Sequence, residues 1–224
     1  MSKRLTILCF VASVVFCALG SRAVADPTSG FTLQPLKFDV QCPYNIPLNQ
    51  RYNYDSRTNT HHMWVFNTDQ PFSQGNTTDP RTEMRFNPDY TTATTQMQYE
   101  ADIFVPKGTN NVSIFQVHVG DAQSNEFGST SLMIFVYGGK LRYYDSTVLM
   151  NNPYGQWFHL NVIHNTSTMQ FQVYINNNLV NTFTDAAGVK GATDWYFKCG
   201  VYGQSGQSAL TQAYYRNVHI WSQN

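Results

Sequence analysis

Residues 196–204 read Tyr196-Phe197-Lys198-Cys199-Gly200-Val201-Tyr202-Gly203-Gln204. Side chains along a strand point alternately to its two faces. One face of this run is then Phe197, Cys199 and Val201. The other is Tyr196, Lys198, Gly200, Tyr202 and Gln204. An apolar inner face backed by an ionisable outer face describes a strand covering a core on one side only. Gly200, in mid-strand, leaves room for a ligand or a neighbouring backbone to come close. Tyr202 would exchange a proton if a nearby Arg or Lys lowered its pKa.

Two upstream segments share this design. In Arg81-Thr82-Glu83-Met84-Arg85-Phe86, the side chains of Arg81, Glu83 and Arg85 share a face, with Thr82, Met84 and Phe86 turned to the core. Two guanidiniums held by a carboxylate suit bidentate binding of a carboxylate ligand. The alternative is a surface ladder of ion pairs worth little. In the third segment, Ile114, Gln116 and His118 share an outer face opposite Phe115, Val117 and Val119. His118 is a natural proton acceptor near neutral pH, although an exposed polar face would read the same way. Three such strands are best explained by one shared concave surface.

The rest of the chain repeats the period of two, with breaks at Gly, Pro, Asn and Asp. Strands are expected at 63–67, 82–86, 96–105, 112–119, 132–137, 140–144, 157–164, 169–175, 179–184, 195–202 and 213–221. Gly138-Gly139 and Asn176-Asn177-Asn178 signal tight hairpins. Many short strands on short turns predict an all-β fold, a jelly-roll β-sandwich with a concave groove on one sheet. Residues 26–55 read as irregular and Gly120–Ser131 as a mobile loop over the groove.

Residues 1–25 read as a signal peptide. Lys3 and Arg4 precede an apolar run, and Ala23-Val24-Ala25 offers a cleavage site. The apolar run is short for a membrane span. Residues 26–224 are then a single secreted domain, destined for the extracellular space or cell wall, with the vacuole as a second destination. No membrane partner is expected after leader removal, and a monomer is expected. The 14 basic and 14 acidic residues balance. Lys3, Arg4 and Arg22 fall in the leader, so the remainder is acidic on balance. No basic run survives, which argues against nucleic acid. Cys42 and Cys199 could form a disulfide in a secreted protein, but Cys199 on the core face favours a buried thiol. Sequons begin at Asn76, Asn111 and Asn165. His61-His62 would face opposite ways in a strand, and no metal or other cofactor is expected.

The three segments, in this order, resemble the signature blocks of polysaccharide lyase family 7, the alginate lyase 2 superfamily. The family carries Arg-(Ser/Thr)-Glu-x-Arg, Gln-(Ile/Val)-His and Tyr-Phe-Lys-Ala-Gly-x-Tyr-Asn-Gln. Here they stand as RTEMR, QVH and YFKCGVYGQ. The mature chain also resembles the plant citrate-binding-protein branch of that superfamily, through residues 26–31, 43–48, 142–144, 157–158 with 161–164, and 196–202. The resemblance implies a jelly roll whose groove cuts a polyuronate, such as alginate or glucuronan, by β-elimination. It implies Arg81 and Gln116 on the substrate carboxylate, His118 as base or neutraliser and Tyr202 as proton donor. Glu83, Arg85, Lys198, Tyr196 and Gln204 would support substrate binding. Cys199 departs from the family's Ala and Gly203 from its Asn, the latter beside the groove. The competing expectation is a non-catalytic protein that binds citrate or a carbohydrate in the same groove. The partner is therefore an anionic polysaccharide or a small polycarboxylate.

Overall fold

A computed structural model describes residues 26–224. The leader expected over 1–25 lies outside the described residues. In chain order the strands begin with β1 (Thr32–Gln34), β2 (Phe38–Gln41), β3 (Tyr52–Asp55) and β4 (Thr60–Phe66). They continue with β5 (Arg81–Phe86), β6 (Tyr90–Thr91), β7 (Gln96–Phe104) and β8 (Val112–Val119). Then come β9 (Thr130–Tyr137), β10 (Lys140–Tyr143), β11 (Thr147–Asn151) and β12 (Trp157–Asn165). The last are β13 (Gln170–Ile175), β14 (Asn178–Thr184), β15 (Asp194–Gly203) and β16 (Leu210–Gln223). Two short helices, α1 (Ser124–Phe127) and α2 (Ala186–Lys190), sit in the loops.

The strands form two antiparallel sheets. One runs β14-β13-β12-β7-β16-β4-β3, with β1 added beside β16. The other runs β11-β10-β9-β8-β15-β5-β2, with β6 added beside β15. The chain crosses repeatedly between sheets, as from β4 to β5 and from β7 to β8, which gives the expected jelly-roll sandwich. Tyr99 of one sheet meets Phe115 and Phe197 of the other, all buried. Each such side chain contributes about 2–3 kcal/mol by leaving water. Gly138 and Gly139 both adopt positive φ, as do Asn176 and Asn177. These are the two expected hairpins. Cys199 is a buried free thiol and Cys42 is also free.

Two expectations fail locally. Residues 26–55 are not wholly irregular, since β1, β2 and β3 pair at sheet edges. They are three or four residues long and mostly half-exposed, too short to show an alternation. Ile114 does not share the outer face with Gln116 and His118. It is fully buried, because the β8–β9 register shifts between Ser113 and Phe115 and one extra residue turns the alternation over.

Gly200 answers to a neighbouring backbone. Its φ is +146°, and a Cβ there would lie 2.2 Å from the Thr82 carbonyl oxygen. This permits the irregularity between Cys199 and Tyr202 in the β8–β15 ladder.

His61 faces the sandwich interior beside Met63 and bonds Tyr52 Oη through Nδ1 at 2.8 Å. Burial pushes its pKa down to about 4. The unfolded chain protonates first, so this contribution is complete above pH ~6.5 and is lost as pH falls towards 4. The loss should reach about 3 kcal/mol. Urea titrations at neutral and acid pH check it, with His61→Gln expected to flatten the slope. An unchanged slope in that variant would assign the acid sensitivity elsewhere.

Candidate active site

The pairing of three strands builds the site. β15 lies between β5 and β8, so Lys198 is opposite Arg85 on one side and Gln116 on the other. Tyr202 is opposite Arg81, Gly200 is opposite Glu83 and Tyr196 is opposite His118. On the outer face of this sheet lies a cleft of about 490 Å³. Arg81, Gln116, His118, Tyr196, Lys198, Tyr202 and Gln204 all line it. Seven of the nine expected site residues therefore converge. Arg85 and Glu83 do not line it.

Glu83 lies beneath the cleft at 1% exposure. Its Oε2 is 2.6 Å from Lys198 Nζ and 3.6 Å from Arg81 Nη1, and Gln116 Nε2 donates to its Oε1. Burial alone would raise the Glu83 pKa. Lys198 and Arg81 outweigh it, with the Lys198 and Gln116 hydrogen bonds, and hold the carboxyl below its ordinary range. Glu83 is thus a hub beneath three cleft residues, close to its expected place as a carboxylate that orders the arginines, although it meets Arg81, Lys198 and Gln116 and not Arg85. Lys198, expected as a cation for the ligand, is 1% exposed and spends its charge on Glu83.

The two arginines differ in what their donors meet. Arg85 Nη2 pairs with Asp89 at 2.5 Å, and its Nη1 donates to the Phe86 carbonyl at 3.1 Å and to Asn87 Oδ1. Its guanidinium covers the Tyr196 ring at 3.9 Å. Its Nη1 and Nη2 are engaged in this way and it does not line the cleft, so Arg85 sits apart from the ligand position expected for it. Arg81 covers the Tyr202 ring at 3.8 Å. Its Nε is buried without a partner, and Glu83 at 3.6 Å is beyond hydrogen-bonding reach. Of the two arginines, Arg81 is the one that lines the cleft and has an unpartnered donor.

His118 Nδ1 lies 2.5 Å from the Val119 carbonyl oxygen. A carbonyl only accepts, so Nδ1 carries the proton and the Nε2 lone pair is the basic one. Burial lowers the His118 pKa, partly offset by that backbone bond. The imidazole is therefore neutral at neutral pH. It stacks on Tyr196 with centroids 4.8 Å apart, and Tyr196 Oη donates to Asp121 at 2.8 Å. Tyr196 thus holds His118 in place while also lining the cleft. Gln204 lines the cleft with its amide Nε2 folded onto the Tyr202 and Gly203 carbonyls.

Tyr202 departs from expectation in its titration. Burial raises its pKa, and the opposing pull of Arg81 does not reverse this. The phenol keeps its proton and is an acid. No hydrogen bond joins His118 to Tyr202 among the described residues, so a base and an acid line one cleft without touching.

Gly120–Ser131 supplies a wall. Asp121, Ser124, Ser129 and Thr130 line the cleft, and the loop is pinned by Gln123, which exchanges hydrogen bonds with Thr193. Phe72, Asn76 and Thr78 also line it. Sequence reasoning missed Asp121 and Phe72, since neither belongs to a strand with a readable face.

Comparison with known proteins shows the family and the fold. The sequence model described as alginate lyase matches residues 27–221. A citrate-binding protein of Hevea brasiliensis is 34% identical over 226 aligned positions, covering 97% of this chain and 85% of that protein. Among solved structures, the family 7 alginate lyase AlgAT5 superposes with a TM-score of 0.64 at 17% identity, covering 84% of this chain and 94% of that one. An alginate lyase from Pseudomonas aeruginosa gives 0.61 at 16% identity, covering 83% and 98%. A family 7 lyase solved with a bound product, A1-II′, gives 0.64 at 13% identity, covering 88% and 99%.

Proposed function

The chain belongs to the alginate lyase family, and on that premise we propose that it cleaves a uronate-containing polysaccharide by β-elimination. The observation that carries this reading is the convergence on one cleft of His118, Tyr202 and Arg81, whose Nε has no partner. Arg81 and the second amide hydrogen of Gln116 meet the uronate carboxylate. Neutralising it lets the charge left by C5 deprotonation spread as an enolate-like species. His118 Nε2 takes the C5 proton, the C5 electron pair forms the C4–C5 double bond, and the C4–O bond breaks. Tyr202 gives its proton to the departing oxygen. After the product leaves, water in the open cleft takes the imidazolium proton and reprotonates the tyrosinate, which restores both groups. The leader expected over residues 1–25 supports a secreted enzyme.

Mixing the folded protein with alginate, glucuronan and other uronate polymers should raise ultraviolet absorbance as unsaturated ends form. Absence of any rise would sink the reading. The pH profile is a sharper check. Burial lowers the His118 pKa and raises that of Tyr202. Base and acid are then both in working form across neutral pH, and kcat/KM should be flat between about pH 7 and 9. The acid limb should fall below the ordinary His value. A loss of activity already at pH ~7 would contradict a neutral His118 as base.

The named function of the Hevea relative favours a second reading, binding without turnover. Calorimetry with citrate on the wild type and on Arg81→Ala would separate the two.

A further inference from the structure

We propose that the cleft takes a chain whose uronates are spaced by neutral sugars, rather than a homopolyuronate with a carboxylate on every sugar. This rests on the lyase reading and narrows its substrate class.

The argument is a count of charge at the cleft. Among the described residues, Arg81 and Lys198 are the Lys and Arg side chains that line it. Lys198 is paired with Glu83 at 2.6 Å, both buried. Whichever partner holds the proton, that pair is neutral. His118 is neutral too. Arg85 is committed to Asp89 outside the cleft. What remains is one guanidinium, Arg81, and one opposing carboxylate, Asp121, on the cleft wall. Asp79 also lies within electrostatic reach of Arg81. The cleft has no net positive charge.

A homopolyuronate would place its first carboxylate on Arg81 and the next ones against Asp121 or uncharged groups. Each would lose water without gaining a countercharge, and Asp121 would repel it. The rest of the lining suits neutral sugars instead. Gln41, Asn76, Thr78, Ser124, Ser129 and Gln204 offer amides and hydroxyls. Phe72, 41% exposed, offers an apolar ring to a sugar face. Citrate meets the same mismatch as a homopolyuronate.

The test compares initial rates on mannuronate and guluronate blocks and glucuronan with rates on hyaluronan and deacylated gellan. In hyaluronan glucuronate alternates with an uncharged amino sugar, and in gellan it occurs once per tetrasaccharide. At low salt the spaced chains should give at least about tenfold higher kcat/KM, with the gap narrowing as sodium chloride screens the repulsion. Asp121→Asn, which keeps an acceptor for Tyr196 Oη, should narrow the gap, and Asp121→Lys should narrow it further. Equilibrium binding of oligosaccharides from each polymer to the Tyr202→Phe protein gives a readout independent of turnover. Preferred binding of the spaced oligosaccharides without product from any polymer would remove the lyase reading and keep this one. Preference for homopolyuronates in both rate and binding, binding of neither class, or a ratio untouched by both Asp121 changes would overturn it.

Discussion

Tyr202→Phe is expected to lower kcat by about 10³-fold on whichever uronate polymer the wild type cleaves, with KM changed little. The substitution is discriminating because of what surrounds the ring. Arg81 covers it at 3.8 Å, and a phenyl ring keeps that contact. The carboxylate-binding guanidinium therefore stays in place, and only the hydroxyl proton is removed. The phenol pKa is raised by burial, so the wild type holds that proton throughout the neutral range. Steady-state ultraviolet assays give kcat, and calorimetry with oligosaccharide gives affinity. A Tyr202→Phe enzyme that turns over at the wild-type rate would reassign the acid. His118→Gln should cost a similar factor, and the two together little more than either alone, since acid and base act as a unit.

How far such a site can be read from residues alone depends on what alternation carries. Period two found the long strands and put Arg81, Gln116, His118 and Tyr202 on outer faces, and all four line one cleft. It failed at Ile114, where one inserted residue reversed the faces. It also failed at the short edge strands, where three or four residues hold no period. Partners were a different matter. RTEMR presents two arginines with equal claims on a ligand. Only the fold shows Arg85 bound to Asp89 while Arg81 Nε has no partner. Asp89 and Asn87 lie in the turn beyond β5, where no periodic signal reaches. Asp121 was hidden for the same reason, although it holds Tyr196 and sets the charge of the cleft. The family resemblance read from the three blocks agrees with the match over 27–221, and the three blocks lie on adjacent strands.

Removing the Glu83 carboxylate should have the largest effect on stability. Glu83→Ala leaves the Lys198 ammonium, 2% exposed, without its partner, and breaking a buried pair from one side costs about 3–5 kcal/mol. The pair lies at the floor of the cleft between Arg81 and Gln116, with both side chains almost fully buried. Denaturant titration should show the midpoint fall with the slope unchanged. The double change Glu83→Leu with Lys198→Met removes both charges and keeps apolar volume, so most of the lost stability should return. Activity should not return with it. Glu83 accepts from Gln116 Nε2 and faces Arg81 Nη1, and an apolar pair anchors neither. The double variant should therefore melt near the wild type yet bind substrate poorly, with KM raised and kcat lowered together. Recovery of both stability and turnover would show that Arg81 and Gln116 are held by the sheet alone. Recovery of neither would place the role of the pair in packing rather than charge.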